Sequence, residues 1–246
     1  MKRLAGPLVA LLLSGSAAAQ SPALPPLPPL RFVAATNNTL PIAEFDGERL
    51  VGGIAKDLAE LIAAGLGRPV SFVTLPAKRV SAALVAGEAD AVCFVLPEWL
   101  QGDFRWTRGL IPDASLVASH ADAPALRSLQ DLVGQPVGTV LSYNYPRVEA
   151  ALGKGALKRA DVPSMAANLK RLATGRVRYA LVEKTSLQYF LHEQPNAPVR
   201  IAWVIDRFDA RCAFSQRSGV PFAEVAQVLD RLVTDGSVER MLARYR

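Results

Sequence analysis

Several polar residues of this chain follow short apolar runs and could bind a small molecule. Asn37 comes soon after the run at 31–35, residues 142–144 (Ser-Tyr-Asn) follow a second run, and Glu183 follows a third. Amide and hydroxyl groups both donate and accept hydrogen bonds, and a carboxylate binds cations or transfers protons. If the apolar runs are parallel strands, their carboxyl ends form one edge, where ligands of open α/β sheets bind. The sequence therefore predicts one polar site at such an edge.

Aromatic and basic residues extend this candidate site. Phe94 and Trp99 follow the apolar run at 91–96 and offer rings for stacking, although Trp99 is equally well explained by packing. Arg79 begins a predicted helix and carries the planar donor fork that recognises anions, although a surface arginine is as good an explanation. Ser142, Tyr143 and Asn144 precede a predicted helix, where free backbone N–H groups attract anions or a side chain simply caps the helix.

Enzyme motifs are missing from the sequence. It contains no HExxH, GxSxG, P-loop or GxGxxG pattern, and its two histidines, His120 and His192, lack metal-ligand spacing. We predict no catalytic residue, no metal, no cofactor and no enzymatic activity. A general acid–base role for Glu183 is the alternative.

Two similar junctions indicate how these residues are positioned. Residues 84–93 and 172–181 each end a helical run, turn on a glycine and enter an apolar strand. Gly87 and Gly175 supply the left-handed conformation that closes a helix. Residues 31–96 give a β-α-β-α-β order, a second β-α-β pattern opens at 135, and an amphipathic helix starts at Phe222 and breaks at Gly236. The sequence predicts two α/β lobes with a ligand cleft between them.

The N-terminus resembles an export signal. Lys2 and Arg3 precede a short apolar run at 4–13 and an A-x-A site at 17–19, which predicts cleavage near Ala19 and a periplasmic protein. Residues 20–30 are proline-rich and read either as an extended tether or as a motif for a proline-binding partner.

Composition excludes some partners and leaves one covalent question open. Half of the residues are hydrophobic and the net charge is +6, with basic residues scattered along the chain, so we expect no nucleic-acid partner. Cys93 and Cys212 would meet an oxidising compartment after export. They either form one disulfide or are two small buried residues.

The ordered series of segments resembles the family-3 bacterial extracellular solute-binding proteins, the periplasmic polar-amino-acid type. It consists of LRFVAATNNTLPIAEFDGERLVGGIAKDLAELIAAGLG, VAGEADAV, QPVGTVLSYNY, SMAANLKRLATGRVRYALVE and a tail ending in DGSVERMLARYR. The resemblance covers nearly all of the chain after Arg31.

This resemblance implies a type II periplasmic binding protein, with two lobes joined by two crossing segments and each lobe a mostly parallel sheet flanked by helices. Residues 31–112 and 211–246 would form lobe 1, and residues 113–210 lobe 2. A monomer would capture a small polar solute and pass it to an ABC permease in the inner membrane. A sensor-type binding protein and a small lyase or dehydratase on the same fold are the alternatives.

The resemblance also implies roles for individual residues. Asn37 and Glu183 stand where the family binds a ligand amine, and residues 142–144 stand where it holds a carboxylate. Phe94 and Trp99 occupy the segment in which the amino-acid binders carry an arginine that clamps the ligand α-carboxylate, and this chain has none there. The predicted ligand-binding set is Asn37, Arg79, Phe94, Trp99, Ser142, Tyr143, Asn144 and Glu183.

Overall fold

The computed structural model describes residues 27–245. The predicted signal peptide at 1–19 and residues 20–26 of the predicted tether lie outside the described residues. Within the described range, no helix has both the length and the apolar character needed to cross a bilayer.

Strands and helices alternate through most of this range. The strands are β1 (Leu30–Ala35), β2 (Glu44–Asp46), β3 (Arg49–Gly52), β4 (Val70–Leu75), β5 (Ala91–Val95), β6 (Phe104–Trp106), β7 (Ile111–His120), β8 (Pro136–Val140), β9 (Lys158–Val162), β10 (Tyr179–Glu183) and β11 (Val199–Ser215). The helices are α1 (Ile54–Gly65), α2 (Ala77–Ala86), α3 (Pro146–Leu152), α4 (Met165–Ala173), α5 (Lys184–Glu193), α6 (Phe222–Thr234) and α7 (Ser237–Leu242).

Two groups of three parallel strands form the ends of a nine-stranded sheet in the order β4-β1-β5-β11-β7-β10-β8-β9, with β6 also paired to β11. We call β1, β4, β5 and β6 with α1, α2, α6 and α7 the first lobe, and β7 to β10 with α3, α4 and α5 the second lobe. The triplets β4-β1-β5 and β10-β8-β9 are parallel, whereas β6, β7 and β11 pair antiparallel with their neighbours. Strands β2 and β3 form a separate hairpin.

Strand β11 is continuous across both lobes. It is a single strand of 17 residues. Residues 199–210 pair with β7, and residues 211–214 then pair with β5. Strand β11 is thus one connection between the lobes, and the segment between β6 and β7 is the second connection. The lobe boundaries at 112 and 210 stay a prediction.

Each lobe packs apolar helices against both faces of its strands. Alternate residues of a strand point to opposite faces, so β1 sends Phe32 to the side of α1 and α6 and Val33 to the side of α2. The second lobe has α4 and α5 on one face and α3 on the other. The main buried helix residues are Leu58, Ile62, Val80, Leu84, Val148, Leu169, Leu172, Leu187, Val225 and Leu229.

The helix ends follow the sequence signals closely. Gly87 ends α2 with φ +75°, Gly175 follows α4 with φ +70°, and Ser164 caps α4 by accepting a hydrogen bond from the Ala167 N–H (3.3 Å). These predictions are confirmed. Helix α5 was not predicted, because it starts at the residue after β10 with no intervening turn and its N-cap, Glu183, makes no side-chain cap bond.

Candidate functional site

A cleft between the lobes lies at the carboxyl ends of β1, β5, β8 and β10. Its cavity volume is about 140 Å³. This is room for a small organic molecule, since a cavity of roughly 150 Å³ holds one benzene. All predicted ligand-binding residues except Arg79 line this cleft.

Asn37 contributes an unpaired amide from the turn after β1. Both its Oδ1 and its Nδ2 atoms are buried, and neither has a hydrogen-bond partner. Buried polar side-chain atoms nearly always have a partner, so an unpaired amide at a cavity wall marks a position where a ligand or water is bound. The function predicted for Asn37 remains a prediction, but its surroundings favour it over a simple turn role.

Phe94 and Trp99 form an aromatic wall of the first lobe. Phe94 has φ +61°, which is uncommon for a residue other than glycine, and it lies where the pairing of β5 with β11 shifts register. Such strained positions cluster at binding sites. Trp99 meets Phe208 of β11 edge to face, with ring centroids 5.4 Å apart, so its ring also packs against the connecting strand.

Cys93 and Cys212 are joined by a disulfide next to this wall. They lie directly opposite each other on β5 and β11. The structure therefore decides the question that the sequence left open, and the bridge ties the strand of Phe94 to the strand that runs into the second lobe.

The loop at 142–145 forms the facing wall. Ser142 has φ +66°, and Arg159 fixes the loop by donating to the carbonyl groups of Tyr143 (3.0 Å) and Val140 (2.9 Å). The Val140 N–H in turn donates to the Tyr145 hydroxyl oxygen at 2.9 Å. Helix α3 then begins at Pro146, which has no N–H to offer at the first helical position.

Glu183 ends β10 and enters the cleft from the second lobe. Burial, and secondarily the carboxylate of Asp113, raises the pKa of Glu183 to about 7. Within the described part of the chain, no cation lies at ion-pair distance from its carboxyl group, and this includes the neighbouring Lys184. This acid is therefore held without a countercharge.

Asp113 on β7 is the buried acid behind Glu183. Its Oδ1 atom accepts hydrogen bonds from the backbone N–H groups of Ala114 (2.7 Å) and Thr185 (3.0 Å), so it caps the start of α5 from another strand. Its Oδ2 atom is buried without a partner, and burial raises the pKa of Asp113.

The two lobes touch across the cleft. The Tyr143 hydroxyl donates to Asn38 Oδ1 at 2.8 Å, and Asn144 Nδ2 donates to the Trp99 carbonyl at 3.4 Å. These contacts join loops that belong to different lobes, so the structure has its lobes closed on each other.

A charged group lies at the mouth of the cleft. Arg147 is paired with Asp206 of β11 through Nε (3.1 Å) and with Glu98 of the first lobe through Nη2 (3.7 Å). Its side chain is 64% exposed. Arg147 therefore bridges the second lobe, the connecting strand and the first lobe.

Arg79 lies on the solvent side of α2 and does not line the cleft. Ala77 and Val80, three positions apart, share the helix face turned to the cleft, and the helical period carries Arg79 away from that face. An anion contact from Arg79 therefore has no support in this arrangement.

Several residues that shape the site were not in the predicted set. Asn38 belongs to the same polar turn as Asn37, and an acid inside an apolar strand was a visible signal for Asp113. Nothing in the sequence pattern pointed to Arg147, Glu98 and Asp206, because they come together only when the lobes are packed. Among the described residues, no group of three or more His, Cys, Asp or Glu side chains could hold a metal ion.

No protein-family model matches the sequence, and no curated protein matches it significantly. An ancestral arginine-binding protein bound to arginine matches with TM-score 0.73 and 20% identity, over 89% of this chain and 97% of that protein. The chain has the type II periplasmic binding protein fold. The L-cystine solute receptor of Neisseria gonorrhoeae, unliganded and open, matches with TM-score 0.58 and 20% identity, over 89% and 92% of the two chains.

A third structure with this type II fold is the ancestral amino acid-binding protein AncCDT-1, a precursor of cyclohexadienyl dehydratase. It matches with TM-score 0.70 and 18% identity, over 88% of this chain and 94% of that one. These matches confirm the predicted two-lobed α/β architecture.

Proposed function

We propose that this chain is a periplasmic solute-binding protein that captures a small polar molecule, an amino acid or a related compound, between its lobes. The carrying observation is the unpaired Asn37 amide on one wall of the cleft and, on the other, the Glu183 carboxyl, which has no ion-pair partner among the described residues. A ligand that pairs with both would bridge the lobes and stabilise the closed state, because its contacts to the two walls exist together only there.

We further propose that the closed form delivers its solute to an ABC permease. The matching structures, which include an arginine-binding protein and a solute receptor, support capture of a small solute. A sensor-type protein would share the binding step and differ only in the partner that receives the closed form.

A screen for ligand-induced stabilisation tests the binding step. The mature chain is heated with amino acids, amines and small carboxylates, and a ligand of the closed state raises the melting temperature by an amount that grows with the logarithm of its concentration above Kd. Small-angle scattering then reports whether the same ligand shifts the lobes. If no compound raises the melting temperature, the solute-binding proposal fails.

A lyase on this fold is the second candidate, favoured by one observation. The pKa of Glu183 lies near neutrality, as a general acid requires. Incubating the protein with each stabilising compound and following product formation separates the two functions. Turnover that is lost in Glu183→Gln would indicate an enzyme, and unchanged ligand after prolonged incubation would indicate a binding protein.

A further inference from the structure

We propose, on the basis of the solute-binding function, that the ligand is an aliphatic amine or guanidinium cation that carries no carboxylate. The cleft differs in this respect from one built for a zwitterionic amino acid.

Acidic side chains outnumber basic ones in the cleft. Glu98, Glu183 and Asp206 line it, and among the described lining residues Arg147 is the sole cation. Since an ion in a partly desolvated site needs an opposite charge, this set favours a positively charged ligand.

Arg147 is already engaged by two of those acids. Its pairs with Glu98 and Asp206 neutralise it, and its high exposure places it at the mouth rather than in the interior. Of the three acids that line the cleft, this leaves Glu183 as the one without an ion-pair partner.

Apart from Arg147, none of the described residues that line the cleft has a positively charged side chain that could clamp a carboxylate. The Tyr143 hydroxyl donates to Asn38, Pro146 removes a backbone donor from the start of α3, and Arg159 is held behind the loop by Asp161 (2.8 Å). The Asn37 side chain has an amide oxygen, which can accept a hydrogen bond from an ammonium group, and an amide N–H, which can donate one. That donor is neutral, so it does not supply the positive charge that a buried carboxylate demands.

The rings of the cleft suit the rest of such a ligand. Four aromatic side chains line the cleft, with Phe94 and Trp99 on one wall and Tyr143 and Tyr145 on the other. Aromatic faces attract cations and cover methylene groups. An alkyl chain with an ammonium or guanidinium group fits this lining, with the cation directed to Glu183.

Three matched pairs of probes test the proposal, because the members of each pair differ by a single carboxylate. They are agmatine and arginine, putrescine and ornithine, and cadaverine and lysine, each titrated calorimetrically into the mature protein at pH 8. We expect at least one amine to bind at least tenfold more tightly than its amino acid. Equal or tighter binding of the amino acid in every pair would overturn the proposal.

Two variants assign the effect to the cleft. Glu183→Gln keeps the size of the side chain and removes its charge, and we expect it to weaken amine binding at least tenfold, with circular dichroism confirming the fold. Glu149→Gln is the matched control, because it removes the charge of an exposed glutamate of α3 that does not line the cleft, and it should change amine affinity less than threefold. An amine affinity that is unchanged in Glu183→Gln would also overturn the proposal.

The outcomes separate this proposal from the solute-binding function. If neither member of any pair binds but the broader screen finds a neutral or anionic ligand, the cation proposal fails and solute binding stands. If no compound of any class binds, both fail.

Discussion

The Tyr143 hydroxyl donates a hydrogen bond to Asn38 Oδ1, 2.8 Å away, across the cleft between the two lobes. Tyr143 lies on the loop after β8, and Asn38 lies on the turn after β1. The contact can exist only when the lobes are closed, so it contributes to the closed state and not to the fold of either lobe. Removing it should shift the balance between open and closed forms while leaving the folded lobes intact.

The first prediction concerns this contact. Tyr143→Phe keeps the ring and loses the hydroxyl, and a hydrogen bond is worth about 1 kcal/mol, so we expect ligand affinity to fall about fivefold. Small-angle scattering should also report a larger radius of gyration for the ligand-free variant. Tyr145→Phe is the matched control, because its hydroxyl accepts from Val140 within the second lobe. If both variants expand the protein equally, the contact has no special role in closure.

The second prediction concerns the stability of the ligand-free protein with pH. The folded-state pKa of Glu183 is about 7, above its ordinary value of 4.5. A carboxyl group with a raised pKa favours the folded state below pH 4.5 and loses that contribution as pH rises through 7. After allowance for its partial exposure, we expect this loss to be about 2 kcal/mol.

Urea unfolding of Glu183→Gln measures this loss directly. The variant cannot ionise at this position, so it should be more stable than the wild type at pH 8 and similar to it at pH 4.5. A difference in unfolding free energy that is the same at both pH values would show that the carboxyl group does not titrate in this range.

The third prediction concerns the disulfide between Cys93 and Cys212, which are 119 positions apart in sequence. Closing so long a loop restricts the unfolded chain, and the entropic model gives about 3 to 5 kcal/mol of stabilisation. We expect dithiothreitol to lower the urea midpoint of the wild-type protein. The Cys93→Ala/Cys212→Ala variant should already have the lower midpoint and should not respond to dithiothreitol. A response in that variant would mean that the reductant acts elsewhere.

The fourth prediction concerns the strained backbone at Ser142, where φ is +66°. Glycine adopts this conformation freely and β-branched residues resist it. Ser142→Gly should leave the unfolding free energy unchanged or raise it by up to about 1 kcal/mol, and Ser142→Val should lower it by about 1 to 3 kcal/mol. Equal stability of the two variants would indicate that the loop relaxes in solution.

Local sequence signals were sufficient for most of the fold. The apolar runs at 31–35, 70–75 and 91–96 became β1, β4 and β5, and Gly87 and Gly175 closed the helices before β5 and β10. The polar residues after these strands lie in one cleft because parallel strands end at a common edge. These features depend on periodicity and glycine conformation, which the sequence carries directly.

Other features depend on tertiary packing and were not predictable in the same way. Helix α5 begins directly after Glu183 and takes its backbone cap from Asp113 on another strand, so no local capping signal marks it. Arg79 differs from Val80 by one helical position, and only the docking of α2 decides which of them faces the cleft. The pairing of Arg147 with Glu98 exists because two lobes meet.

The last prediction concerns the effect of Asp113 on Glu183. The Asp113 carboxylate raises the pKa of Glu183, and its own Oδ2 atom is buried without a partner. Asp113→Asn keeps an oxygen for the N–H groups of Ala114 and Thr185 and removes the charge, so the pKa of Glu183 should fall. The pH at which the ligand-free protein loses its Glu183-dependent stability should then move to lower values. The measurement is the unfolding free energy of Asp113→Asn minus that of Asp113→Asn/Glu183→Gln from pH 4.5 to 8.

Asp113→Ala, which removes the acceptor as well, should be less stable than Asp113→Asn by about 1 to 3 kcal/mol, because two N–H groups lose their partner. If the stability loss keeps its midpoint in Asp113→Asn, burial alone sets the pKa of Glu183, and Asp113 serves only as the cap of α5.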